Sequence, residues 1–316
     1  MSTLAITGAS GFIGQHLALS LSADHAWEVR ILIHENKPEH LIDRKGLVPI
    51  VGDLLKPDTL RDLFAPGCTV INLAYLNRQP LSENLDAMES LSENCVKARI
   101  KRLVHCSTAV VVGGAPDDVI TEETPCNPNS EYETIKFQIE GLLRDKARNH
   151  FELVILRPTA VFGPGGKNLL KLANDLTTGS KFVSYLKSCL FDSRRMNLVY
   201  VDNVVSALLF LAFTNQTMDR EIFIISDDEY LENNYRDIEK YLMRHLGCKE
   251  YPRPRIPLPQ LLLTNVLKLA GRSNLNPDRI YRSEKLRNAG LKKNISFEAG
   301  LKTFAEWYRK THLPPK

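Results

Sequence analysis

Apolar and polar positions alternate in blocks along this chain. Short apolar runs at 4–7, 28–33, 48–52, 69–73 and 102–107 read as strands, being short and bounded by turn residues. Between most of them, 12–21, 59–64 and 85–98 carry helical patterns, and a helix at 131–148 and a strand at 152–156 continue the series. Strands alternating with helices predict a parallel sheet covered on both faces. Further on, a helix is expected at 168–178, a strand at 198–201, a helix at 202–213 opening on the acidic Asp202, and a strand at 221–225. After Asp227 the pattern is mostly helical with proline punctuation, as in YPRPRIPLP. The stretch 257–269 is apolar over much of its surface. It carries few basic residues, so a lobe helix packed on the core is expected rather than a helix lying on a membrane.

The first candidate chemistry lies between the first strand and the first helix. Gly8, Gly11 and Gly14 stand three apart in TGASGFIG. In a strand–turn–helix unit the first glycine permits the tight turn, the second lets backbone approach a pyrophosphate, and the third lets helix and strand pack closely. The helix start then favours the anion. Dinucleotide binding follows, and with it a fold class: α/β, a Rossmann-type doubly wound parallel sheet with a smaller, mostly helical C-terminal substrate lobe. We expect 1–166 with 198–226 to form the NAD(P)-binding domain, and 167–197 with 227–316 the substrate lobe. The end of the second strand, where the adenosine ribose lies in such folds, reads Ile33-His34-Glu35-Asn36-Lys37. His34 and Lys37 suit a 2′-phosphate and Glu35 suits a ribose diol; the signal is divided, with a slight lean to NADP over NAD.

Tyr132 and Lys136 share one face of the helix predicted at 131–148. A nearby ammonium favours the phenolate and lowers the tyrosine pKa, so the pair can relay a proton to or from an alcohol or carbonyl.

Taken together these segments resemble the extended branch of the short-chain dehydrogenase/reductase superfamily, which includes the NAD-dependent epimerase/dehydratase family. The similar segments are TGASGFIG (7–14), Gly52-Asp53-Leu54, NLAY (72–75), Asn84, HCSTAVVVGG (105–114), RPTAVFGPGG (157–166), VYVDNVVSAL (199–208) and the closing GLKTFAEWYRK. The resemblance implies that Thr108 hydrogen-bonds the substrate oxygen, Tyr132 exchanges the proton, and Lys136 holds the nicotinamide ribose and tunes Tyr132. It implies a cofactor site built from Gly8, Ser10, Gly11, Phe12, Ile13, Gly14, His34, Lys37, Asp53, Leu54, Leu73, Ala74, Tyr75, Asn84, Ser107, Tyr132, Lys136, Thr159 and Val161. Thr108, Arg194 and Arg195 are the substrate-side candidates, the arginines offering a fork suited to a diphosphate. His105, Trp27, Trp307 and Arg157 are expected to pack or to support, and Tyr185 either to touch substrate or to pack on the lobe from a loop.

Departures narrow the chemistry. Ala109 and Val110 follow Thr108 where family 4,6-dehydratases place an acid and a base, so dehydration is unlike this chain. Val112 replaces a frequent tyrosine, and Ala160 replaces an asparagine of many UDP-sugar epimerases. The expected function is a nucleotide-sugar epimerase or 4-keto-sugar reductase. The alternative is a reductase or dehydrogenase of a non-sugar alcohol, steroid-like or flavonoid-like. A non-catalytic NADP-binding protein is a third reading, against which the intact Thr108, Tyr132 and Lys136 argue.

Composition adds exclusions. The 316 residues are 43% apolar and 25% charged with a formal net charge of +4, ordinary for a globular protein. Lysines and arginines are scattered, so no nucleic acid is expected. The six cysteines show no CxxC pair and no metal-ligand spacing; free thiols in a cytoplasmic protein, and no metal, are expected. The chain runs straight into a strand, so no signal peptide is expected. No apolar stretch reaches the ~18 residues of a membrane span. The resemblance implies a homodimer through the helices at 85–98 and 131–148.

Overall fold

The computed structural model describes residues 2–21, 27–34, 45–256, 260–269 and 275–314. Seven strands form one sheet: β1 (Ser2–Thr7), β2 (Trp27–Ile33), β3 (Leu47–Val51), β4 (Thr69–Asn72), β5 (Arg102–Cys106), β7 (Glu152–Pro158) and β10 (Ile222–Ile225). Their spatial order is β10-β7-β5-β4-β1-β2-β3. The pairs from β3 to β7 are parallel. Along β7 and β10 the bonds from Arg220 N to Leu153 O and from Ile155 N to Glu221 O advance in the same direction. This is the expected doubly wound sheet. Chain order reverses between β1 and β4, the crevice where such sheets take their ligands.

Buried strands with near-continuous apolar runs are what a doubly covered parallel sheet requires. β4 and β5 are buried at every position. On one face, Ala5, Val70, Leu103, Leu153 and Ile155 meet Met88 and Leu91 of one helix and Ile135, Ile139 and Leu143 of another. These helices, Leu81–Ala98 and Glu131–Ala147, pack against each other.

By compactness the chain divides into two units. The first comprises 1–111, 131–157 and 204–223; the second comprises 112–130, 158–203 and 224–316. The second unit holds β6 (Val119–Ile120) paired with β11 (Ile280–Tyr281), and β8 (Ala160–Phe162) paired with β9 (Leu198–Tyr200). Its helices include Leu170–Thr177, Lys181–Phe191, Tyr235–Leu246, Gln260–Leu269 and Phe297–His312.

Several expectations need correction. The segment at 59–64 is a 3-10 helix, Pro57–Leu63. Asp202 lies in the first turn of the helix Val201–Phe213, not at its cap. Tyr185 sits on a helix, Lys181–Phe191, not on a loop. That helix escaped the hydrophobic pattern because its buried positions include Ser184 and Ser188, while Phe182, Val183 and Leu186 face outward. Other expectations hold. All six cysteines are free, Trp27 packs on Phe213 at 4.0 Å between ring centroids, and among the described residues no helix is long and apolar enough to cross a membrane.

Two glycines give opposite predictions. Gly8 has φ +72°, and a Cβ there would stand 2.7 Å from Leu73 C and 2.8 Å from Ala74 N. Gly8→Ala should cost at least ~1–2 kcal/mol from the left-handed backbone alone, more with the overlap, and lower the melting temperature by several degrees. Gly141, inside the helix Glu131–Ala147, has open space around its missing Cβ. Gly141→Ala should stabilise by ~0.5–1 kcal/mol, read in the same melts.

Candidate active site

The glycine turn sits where β1 ends. Gly11 N donates to Gly8 O at 3.0 Å, closing the turn. Gly11 caps the helix Phe12–Ser20 with no side-chain bond to its first N–H groups, so that end stays free of a competing acceptor. A Cβ on Gly14 would run into the Gly8 carbonyl. Ser10 and Gly11 are exposed, while Phe12 and Ile13 are half-buried at the helix start. The close approach of Gly8 to the Leu73–Ala74 backbone brings the ends of β1 and β4 together at the reversal of strand order. These features fit a dinucleotide pyrophosphate: a tight turn, a bare helix start and backbone with no side chain in the way.

Asn72 locks that junction. Its Oδ1 accepts from Thr7 Oγ1 at 2.6 Å and from Ala74 N at 3.1 Å, and its Nδ2 lies 3.0 Å from His105 Nδ1. Asn84 is fully buried, and its amide clamps the following loop, accepting from Leu76 N and donating to the carbonyls of Leu76, Gln79 and Pro80. Asn84, expected at the cofactor, is thus engaged in holding the loop's shape.

At the ends of β2 and β3, exposed His34 stands 3.6 Å from the Asp53 carboxylate. Asp53 Oδ1 also accepts from Leu55 N at 2.9 Å, and Leu54 beside it is buried. Lys37 and Glu35 lie outside the described residues.

Thr108, Tyr132 and Lys136 all belong to the first unit. Lys136 is buried and donates to Cys106 O at 2.8 Å. Burial pushes its ammonium pKa down, against the upward pull of the Cys106 thiol and Glu140. Its Nζ lies 5.7 Å from the Tyr75 ring centre, and that ring meets the Tyr132 ring edge-on at 5.3 Å. The Gly8–Leu73–Ala74 junction is thereby linked through Tyr75 to Tyr132. Tyr132 keeps 43% of its surface exposed, while its hydroxyl end is enclosed by protein. That enclosure pushes the phenol up to about 12, against a hydrogen bond with Thr108. The expected lowering of Tyr132 by Lys136 is therefore not what these protein groups produce: burial raises the phenol, and the lowering influence is the bond with Thr108. Thr108 and Ser107 are buried, and the Ser107 hydroxyl has no hydrogen-bond partner among the described residues. Burial, with Lys136 nearby, holds His105 well below the usual histidine range, so it is neutral and packed as expected.

What holds the helix Glu131–Ala147 in place is a buried carboxylate. Glu140 receives a fork from Arg157, Nε at 2.9 Å and Nη2 at 2.6 Å, and a further bond from Arg144 at 2.8 Å. Glu140 and Arg157 are both buried. Arg157 is structural, as expected. Glu140 was not singled out from the sequence, although it follows Lys136 by one helical turn.

The remaining candidates lie in the second unit. Thr159 is buried with its N–H on Ile225 O at 3.0 Å; Val161 is half-buried, its carbonyl accepting from Asn168 Nδ2 at 2.7 Å. Arg195 donates Nη1 to the carbonyls of Tyr230 and Leu231 at 2.9 and 3.3 Å. That is the bonding of a loop brace. Arg194 is half-buried, its carbonyl accepting from Tyr235 N.

A family model described as "NAD dependent epimerase/dehydratase family" matches residues 4–226. The chain belongs to the NAD dependent epimerase/dehydratase family. Among its relatives, a mouse dTDP-D-glucose 4,6-dehydratase is 24% identical over 96% of this chain and 88% of its own. A Caulobacter vibrioides ceramide reductase is 25% identical over 99% of this chain and 96% of its own. Among solved structures, the Bordetella bronchiseptica enzyme WbmH in complex with NAD+ matches with TM-score 0.77 at 19% identity, over 98% of this chain and 99% of its own. Family membership carries NAD(P)-linked enzyme chemistry; the relatives' names include both a nucleotide-sugar dehydratase and a ceramide reductase.

Glu140→Gln removes the charge that balances buried Arg157. It should destabilise the protein by ~3–5 kcal/mol, the usual cost of breaking a buried pair, measured by urea unfolding. A loss below 1 kcal/mol would mean that Arg157 finds other acceptors.

Proposed function

We propose that the protein moves a hydride between a nicotinamide dinucleotide and a hydroxyl-bearing carbon of a nucleotide sugar, as an epimerase or a 4-keto-sugar reductase. The observation that carries this reading is the link from the glycine turn through Tyr75 to Tyr132, with Lys136 beneath the Tyr75 ring and Thr108 bonded to Tyr132. When bound, the dinucleotide accepts or donates hydride at its nicotinamide and, oxidised, adds a positive charge. The glycine turn and helix start would hold its pyrophosphate. Thr108 would orient the substrate oxygen, and Tyr132 would give that oxygen a proton or take one from it. Lys136, anchored on Cys106 O, would hold the ribose and place positive charge beside the phenol.

Ala109 is buried and Val110 half-buried, and they offer no acid or base beside Thr108. This supports redox chemistry without elimination of water, although dehydratases are among the named relatives. The second reading, a non-sugar carbonyl reductase, is favoured by Ala160, half-buried without an amide to offer a sugar, and by the name of the Caulobacter relative. His34 and Lys37 are the residues that favour NADP. With the Asp53 carboxylate beside His34, a 2′-phosphate there would meet a negative charge, and NAD is the reading we prefer. The homodimer belongs to the same family reading and is tested by molar mass in solution.

Tyr132→Phe should cut turnover ~10²–10⁴-fold, the usual worth of a positioned acid–base group, with dinucleotide affinity kept within a few-fold. Turnover near wild type would contradict the assignment. The pH dependence has a definite sign. A phenol raised to about 12 by its protein surroundings is protonated throughout the neutral range. Single-turnover carbonyl reduction should therefore stay flat from neutral to mildly alkaline pH, while alcohol oxidation should climb with pH as phenolate forms. Oxidation that ignores pH would rule out the phenol as its base.

A further inference from the structure

The helix Lys181–Phe191 in the second unit is inside out. Ser184 and Ser188 are buried, while Phe182 is 67% exposed and Val183 and Leu186 are exposed beside it. The polar interior has a purpose. Ser184 Oγ donates to Asp175 O at 3.1 Å, and Ser188 joins a buried cluster on Glu239. In that cluster Arg255 and Tyr251 also donate to the Glu239 carboxylate, at 3.1 and 2.8 Å. The cluster pins the segment 251–256 to the helix, as do the bond from Tyr185 Oη to Pro254 O at 2.9 Å and the edge-on packing of Tyr185 on Tyr251.

Nothing comparable explains the outward apolar side chains. Residues 182, 183 and 186 form one stripe at helical spacing. Ile256 is exposed at the end of the pinned segment. The neighbouring helix Gln260–Leu269 contacts Lys181–Phe191 and exposes Leu262 and Leu269, seven apart and so on one face, with Leu269 90% exposed. Exposed apolar side chains gathered on two contacting helices mark a docking face. Around it stand exposed Lys181, Arg253 and Lys268, with no carboxylate partner among the described residues. Of the carboxylates at this helix, Asp175 is paired with Lys187 and Lys171, and Glu239 with Arg255.

We propose that this face docks the protein on a lipid surface carrying anionic headgroups, with Phe182, Val183 and Leu186 entering the headgroup layer. Apolar side chains rimmed by unpaired cations are the pattern of interfacial helices. A self-complementary contact with a second copy would set Lys181, Arg253 and Lys268 against like charges. The proposal is independent of the substrate assigned above.

The full chain should sediment with mixed phosphatidylglycerol–phosphatidylcholine vesicles at low ionic strength and much less with phosphatidylcholine alone. Salt should weaken the binding. Phe182→Glu with Leu186→Glu should weaken it at least ~10-fold with the melting temperature unchanged, since both side chains are exposed. Lys181→Glu with Arg253→Glu should weaken only the part that depends on phosphatidylglycerol. No binding above the phosphatidylcholine level, or binding that the double glutamate variant leaves intact, would overturn the proposal. So would an oligomer seen by light scattering that falls apart in that variant, because the face would then belong to a second copy.

Discussion

One carboxylate inside the first unit does more than hold a helix. Glu140 is buried between Arg157 at the end of β7 and Arg144 on its own helix. A charge placed there is tolerated only because the guanidinium fork satisfies both its oxygens. One turn earlier on the same helix, Lys136 reaches Cys106 O at the end of β5. The helix is therefore fixed to two adjacent strands of the sheet by opposite buried charges. Tyr132 stands one turn before Lys136, so its position relative to the sheet is set by these anchors.

The sheet supplies the second constraint. Its order reverses between β1 and β4, and the Gly8 turn touches the Leu73–Ala74 backbone there. Asn72, bonded to Thr7, Ala74 and His105, keeps the two strand ends in register. From Ala74 the chain passes directly to Tyr75, whose ring touches both Tyr132 and Lys136. The glycine turn and the Tyr132–Lys136 pair thus share one wall. The phenol pushed up to about 12 by burial shows what that wall leaves undone. To work as a base at neutral pH, as proposed, Tyr132 would need positive charge beyond what the protein places beside it.

Most of this was legible in the chain because it rests on local rules. Glycine spacing reports a turn that no side chain fits, and a tyrosine four residues before a lysine reports a shared helix face. The rest depends on distance. Glu140 looks like any helix-surface acid until Arg157, 17 residues on, is folded against it. Asn84 reads as a cofactor ligand until its loop is seen wrapped around its amide. Arg195 offers a phosphate fork in the sequence, and only folding sets its Nη1 against two carbonyls. The helix Lys181–Phe191 defeated pattern reading because hydrophobic periodicity assumes that the apolar side faces in. There the serines face in, drawn by Asp175 O and Glu239.

The central claim is that the Gly8 turn and the Tyr132–Lys136 helix form one nicotinamide-dinucleotide site. The most direct test is mass spectrometry of any nucleotide released when the purified full chain is denatured, with melting curves in NAD, NADH, NADP and NADPH. A ligand that binds only the folded state raises the melting temperature by mass action. The account predicts either retained stoichiometric nucleotide, the behaviour of an epimerase that regenerates its cofactor, or a clear shift with at least one of the four, NAD or NADH before NADP or NADPH. No released nucleotide and no shift with any of them would contradict it.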